Sequence, residues 1–217
     1  MIRKHKSRSR GLMGSEGITR AIEAAQLGQG FFIYDDIVGQ GTLLSYPAAT
    51  VEREQVERLV SFGCGIVAVV IDEPTATRCD LPLMVSTRQN PNGPAFTVSV
   101  NARWGKRYGV TIGERLKTIH ALANPLTSHF DLVRPGHVFP ILSHPEGLLG
   151  RSGLAEASAD LMGLAGCPPI VAAALLTDSD ENLMSLKDVK LLSEETSYPL
   201  TTVSDLIDTR LTQLMSK

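Results

Sequence analysis

The chain has 217 residues, 43% hydrophobic, 20% charged and 5% aromatic, a size and balance that suit one packed core. With 21 basic and 23 acidic side chains the formal net charge is −2, which offers no general field to a nucleic-acid backbone or an anionic membrane. No apolar run approaches the roughly 18 residues of a membrane span. The three cysteines (Cys64, Cys79, Cys167) lack a CxxC spacing, which argues against a disulfide framework or thiolate zinc site and for a reducing cytoplasm.

Charge is concentrated at the start. Arg3, Lys4, Lys6, Arg8 and Arg10 make residues 1–14 a basic arm, expected to be solvated and disordered, ahead of a domain over 15–217. No apolar segment follows the arm as in a secretory signal, and no aromatic side chains accompany it to stack on bases. Ser15 then stands as the cap of a helix carrying Ile18, Ala21, Ile22 and Ala25 at helical spacing. Residues 31–34 predict a buried strand, and one of Asp35 and Asp36 is expected to cap the following turn. Thr50 is placed to cap a second helix with Val51, Val56, Leu59 and Val60 inward. Residues 65–71 and 95–100 predict strands by their β-branched runs. Helices are expected over 113–122, 153–164, 186–195 and 203–215, the last with a weak cap at Ser204, and a strand over 170–176. The alternation makes the chain one α/β (α+β) domain.

Two segments concentrate chemistry. In Arg134-Pro135-Gly136-His137-Val138-Phe139-Pro140, prolines and a glycine are expected to form a rigid loop holding an imidazole for proton transfer, with Arg134 available to an anion. In 147–156, Arg151 precedes a helix start, where backbone amides and a guanidinium suit a phosphate or carboxylate. Metal signals are thin: His129, His137 and His144 do not match a compact zinc spacing, and Gly39-Gln40-Gly41 is no dinucleotide fingerprint.

Together these segments form a specific pattern. Residues 131–166 (DLVRPGHVFPILSHPEGLLGRSGLAEASADLMGLAG) strongly resemble the 3,4-dihydroxy-2-butanone 4-phosphate synthases of riboflavin biosynthesis. Further matches follow in family order: Tyr34-Asp35-Asp36, Tyr46-Pro47-Ala48, Asp80-Leu81-Pro82-Leu83-Met84, Phe96-Thr97-Val98, and Gly109-Val110-Thr111 with Glu114-Arg115. The resemblance implies a single compact domain with a mixed sheet flanked by helices, assembled as a homodimer. It also implies a lyase that converts ribulose 5-phosphate to a four-carbon ketone phosphate and formate. The family holds magnesium with a glutamate from an acidic loop and a histidine from an Arg-x-Gly-His-Thr-Glu stretch, the ion stabilising enediolate charge.

At those positions this chain departs from the family. The acidic loop is Ile37-Val38-Gly39-Gln40-Gly41-Thr42-Leu43, the metal histidine is Leu154 followed by Ala155, and a late glutamate is Leu175. A cysteine of the central strand is Ala68, and a Thr-Thr pair is Arg107-Tyr108. Magnesium demands hard oxygen ligands that leucine does not have, so no metal or other cofactor is expected. His137 is left as the candidate catalytic group, with Arg134, Arg151, Glu156, Thr111, Arg107 and Tyr108 as candidate contacts to substrate or anion. Three readings follow: a repurposed metal-independent enzyme acting on a small carbonyl or phosphate-bearing substrate in a biosynthetic side pathway, a non-catalytic sugar-phosphate-binding or scaffold relative, and a true synthase that draws ligands from Asp35, Asp36 or His144.

Overall fold

Side chains along a strand point alternately to opposite faces, and in this chain both faces of the central strands are apolar. The computed structural model describes residues 14–88, 90, 93–104 and 109–215, so the basic arm, apart from Gly14, and the pair Arg107-Tyr108 lie outside the described residues. In order, the elements are α1 (Ser15–Gln26), β1 (Phe31–Tyr34), β2 (Thr42–Pro47), α2 (Arg53–Phe62), β3 (Ala68–Ile71), α3 (Glu73–Arg78) and β4 (Val100–Ala102). They continue with α4 (Ile112–Ala123), β5 (Leu132–Leu142), α5 (Leu154–Leu164), β6 (Val171–Leu175), α6 (Leu186–Thr196), β7 (Leu200–Thr202) and α7 (Val203–Met215). The seven strands form one mixed sheet in the order β4-β5-β3-β6-β2-β1-β7, with β3–β5 and β1–β7 parallel and the other pairs antiparallel.

Alternation splits the core in two. Phe31, Ile33, Leu43, Ala68, Val70, Val171 and Ala173 face α1, α5 and α7, which contribute Ile18, Ala21, Leu161 and Leu206. Phe32, Leu44, Val69, Ile71, Ala172 and Ala174 face α2, α4 and α6, which contribute Val56, Leu59, Ile119, Leu122 and Val189. The central strands are thus covered on both sides, which is why they are continuous apolar runs and not alternating ones.

Several boundaries differ from expectation for local reasons. Glu52, not Thr50, caps α2, closing a box in which Gln55 Oε1 accepts the Glu52 amide at 2.8 Å. Gly14 holds the N-cap of α1, with Ser15 already inside the helix. The start of α7 is closed by Thr202, whose hydroxyl accepts the Asp205 amide at 3.1 Å, while the Ser204 amide donates to Asp36. The strand expected over 65–71 begins only at Ala68, and the one over 95–100 reduces to bridges at Phe96 and Thr97 ahead of β4.

The main correction concerns Arg134–Pro140, which is part of the eleven-residue strand β5 and not a loop. Phe139 and Pro140 pair with Ala68 and Val69 of β3. On the other side Val100 pairs with Val138 but Asn101 pairs with Val133, so Arg134, Pro135, Gly136 and His137 bulge out between adjacent β4 residues. The close approach at the bulge requires a glycine: a Cβ on Gly136 would lie 1.9 Å from the Val100 carbonyl carbon. Gly136→Ala is therefore expected to lower stability by about 3 kcal/mol, the scale of severe overpacking, as read from urea unfolding. A change under about 1 kcal/mol would show that β4 and β5 can part here at little cost.

Candidate functional site

Strand register brings distant positions to one rim of the sheet. Phe139, Ala68, Ala173 and Ser45 lie side by side across β5, β3, β6 and β2. Two residues further along, at the same end of the sheet, come His137 on β5, Leu175 on β6 and Leu43 on β2, with Leu43 paired directly to Leu175. Neighbouring strands are about 4.8 Å apart, so β5 and β6, the strands of His137 and Leu175, lie roughly 10 Å apart with β3 between them. Leu154, at the start of α5, shares a buried apolar cluster with Leu43 and Ala68. Leu43 and Leu154, from two of the segments where the resemblance places metal-site groups, are thus buried aliphatic side chains, and Leu175, paired to Leu43, is 38% exposed.

At the other side of this rim the bulge holds His137. Its backbone amide donates to Asn101 Oδ1 at 2.8 Å, and its Nδ1 lies 3.3 Å from Asn101 Nδ2. The Gly136 amide donates to Ser99 Oγ at 3.1 Å. The glycine of Gly109-Val110-Thr111 packs on the same asparagine: a Cβ on Gly109 would lie 2.0 Å from Asn101 Nδ2. Asn101 thus joins the bulge to the threonine-containing segment. Sequence reasoning missed it, and the only available signal was a lone polar residue directly after the predicted strand 95–100.

The other candidates are largely engaged by protein atoms. The Arg134 guanidinium donates from Nη2 to the Cys79 carbonyl just after α3. Arg151 donates from Nη2 both to the Leu142 carbonyl, at 2.8 Å, and to the Glu156 carboxylate in a buried ion pair. Glu156 Oε1 also accepts the His144 amide at 2.9 Å. Thr111 caps α4, its hydroxyl donating to Glu114 Oε2 at 2.9 Å and accepting from the Glu114 amide. The structure brings Arg151 and Glu156 together and links His137 to the Thr111 segment, while Arg107 and Tyr108 lie outside the described residues. A surface cleft of about 580 Å³ lined by Trp104, Lys117, His120, Asn124 and Asp131 includes none of these candidates.

The comparisons with known proteins decide the family. The model of "3,4-dihydroxy-2-butanone 4-phosphate synthase" matches residues 19–209. The chain belongs to the 3,4-dihydroxy-2-butanone 4-phosphate synthase family. It is 36% identical over 198 residues to the enzyme of that name from Proteus mirabilis, covering 90% of this chain and 91% of the relative. With the one from Pelobacter propionicus it shares 37% identity over 196 residues, covering 89% and 83%. A crystal structure described as 3,4-dihydroxy-2-butanone 4-phosphate synthase in complex with two magnesium ions superposes with a TM-score of 0.84 at 26% identity, covering 88% of this chain and 95% of that one.

Family membership raises the question of which carboxylates and imidazoles here are available to a divalent ion. Asp35 is fully buried, with Oδ1 accepting the amides of Ile37 and Val38 at 3.0 and 2.9 Å and Oδ2 that of Gln40 at 3.0 Å. It caps the turn that follows β1, as expected for one of the two aspartates. Asp36 points the other way and accepts from the amide and hydroxyl of Ser204. His144 Nδ1 accepts the Glu146 amide at 3.2 Å. Among the described residues no three His, Cys, Asp or Glu side chains cluster as a metal site requires.

The Arg151–Glu156 pair is the best-defined polar element beside the site. Breaking one half of a buried pair costs about 3–5 kcal/mol, whereas replacing both halves by apolar groups is close to neutral. Arg151→Met and Glu156→Leu singly are expected to destabilise the protein on that scale in urea denaturation, and the double variant by much less. Near-additive losses would show that each residue acts through separate contacts.

Proposed function

We propose that this chain is a family member whose cleft works without a divalent cation, as an enzyme acting on a small carbonyl- or phosphate-bearing substrate with His137 as the proton-bearing group. The observation that carries the reading is that aliphatic side chains stand where the resemblance puts metal-site groups: Leu43 pairs with Leu175 at the end of the sheet where His137 lies, and Leu43 and Leu154 are buried in one apolar cluster. Aliphatic carbon supplies no ligand to a hard cation, and it lowers the local polarity, which favours a less charged ligand than a sugar phosphate held by metal. The homodimer implied by the family and the cytoplasmic location expected from the cysteines belong to the same proposal; among the described residues no helix is long and apolar enough to cross a membrane.

A non-catalytic, ligand-binding relative is the second reading. It is favoured by the guanidinium contacts, since Arg134 and Arg151 both donate to protein acceptors and not into an open cleft.

Purified protein incubated with ribulose 5-phosphate and magnesium is expected to release no formate above the blank, and release that scales with protein concentration would restore the true synthase. A screen of small aldehydes and ketones is expected to find turnover that His137→Ala abolishes with unchanged thermal stability. Turnover surviving that substitution would overturn the assignment of His137, and a screen in which ligands bind but none turns over would favour the second reading.

A further inference from the structure

We propose that Asn101 is a positioning residue that holds the His137 imidazole in the tautomer protonated at Nε2, so that the site presents a substrate oxygen with a hydrogen-bond donor and not with a base.

The chemistry of the two side chains assigns every proton. A backbone N–H only donates, so the Asn101 atom 2.8 Å from the His137 amide nitrogen is the carbonyl oxygen. The other end of the same amide is then the NH2 group, and it also only donates. It stands 3.3 Å from His137 Nδ1, which must therefore offer its lone pair. A neutral imidazole carries one proton, and with Nδ1 accepting, that proton is on Nε2. Turning the Asn101 amide over would set NH2 against the His137 backbone N–H, two groups that only donate, and lose that hydrogen bond whatever the tautomer of the ring. The amide is also held in place, because the Gly109 backbone packs where any side chain would overlap Asn101 Nδ2 and the neighbouring Gly136 amide is tied to Ser99.

A ring fixed this way has Nε2–H as its free functional atom. It can donate to a carbonyl or another oxygen acceptor and stabilise negative charge developing there, the role of a neutral histidine acting as an electrophile. It cannot remove a proton from carbon through Nε2 without first changing tautomer. Resting on the enzymatic reading above, this narrows the substrate class to a small carbonyl compound whose oxygen receives the Nε2–H. The tautomer itself does not depend on that reading.

The experiment is a two-bond ¹H–¹⁵N spectrum of the uniformly labelled full chain, at a pH where the ring is neutral, with the His137 pattern identified by its loss in His137→Gln. The expected wild-type pattern is an accepting Nδ1 and a protonated Nε2. Asn101→Asp keeps the acceptor for the His137 amide but replaces NH2 by an oxygen that only accepts, so the ring is expected to switch to Nδ1–H. Asn101→Leu removes both bonds and is expected to give a mixture of the two tautomers. A wild-type ring protonated at Nδ1 overturns the inference, as does a pattern unchanged in every folded Asn101 variant. A substrate screen that finds no turnover would sink the enzymatic reading and leave the tautomer result standing.

Discussion

Four residues of β5, Arg134 to His137, have no opposite partners on β4, and what is chemically distinctive about this rim depends on how they are held. A bulge leaves backbone groups without ladder partners, and such groups need other acceptors when they leave water. Ser99 and Asn101 provide two, accepting the amides of Gly136 and His137. The remaining constraint is steric: only a glycine at 136 lets the bulge lie against the Val100 carbonyl. One asparagine therefore both satisfies a backbone amide and orients an imidazole, which ties the ring's chemistry to the strand pairing.

The two apolar layers explain why the far side of the rim is closed to charge. Leu43, Ala68 and Ala173 belong to the layer under α1, α5 and α7, and Leu154 enters the same layer from the first turn of α5. A carboxylate or imidazole there would need solvent, a partner or an ion to offset its burial. Aliphatic side chains need none, and they extend the core to the edge of the sheet. Asp35, the acidic residue just before the 37–43 loop, is engaged by three backbone amides of that loop. The loop closes on itself and does not present its carboxylate.

Much of the frame was legible because it rests on local pattern. Helix α7 and strand β1 fall where periodicity placed them, and α4, α5, α6 and β6 lie within a residue or two, since long amphipathic or apolar runs carry their own period. Strand β2 was missed, and its TLLSYP sequence is buried throughout because both neighbours are strands, which no local signal announces. Helix α3 was missed because Pro74 looks like a terminator; it sits in the first turn, behind Asp72, whose carboxylate accepts the Thr75 amide. The RPGHVFP segment looked like a loop because its prolines and glycine are turn formers. Its strand character comes from β3 and β4, which are remote in sequence. The same limit applies to the site: His137 was visible as a residue type, but Asn101 becomes relevant only once strands 36 residues apart are paired.

Arg151 and Glu156 carry this distinction between frame and chemistry furthest. Both lie in the segment that most strongly resembles the family, and a sequence reader assigns such charged residues to ligand binding. Here their side chains are almost wholly buried and satisfy each other, the Leu142 carbonyl at the end of β5 and the His144 amide. They anchor the start of α5 to the end of β5, a task that any chain with this fold must accomplish whatever it binds. A buried pair resists single substitution because losing one partner leaves the other's charge without compensation. Likeness at such positions therefore tracks the frame. At the rim the Asn101–His137 pair joins frame and chemistry in one contact, since the asparagine that accepts a backbone amide of the bulge also faces the imidazole.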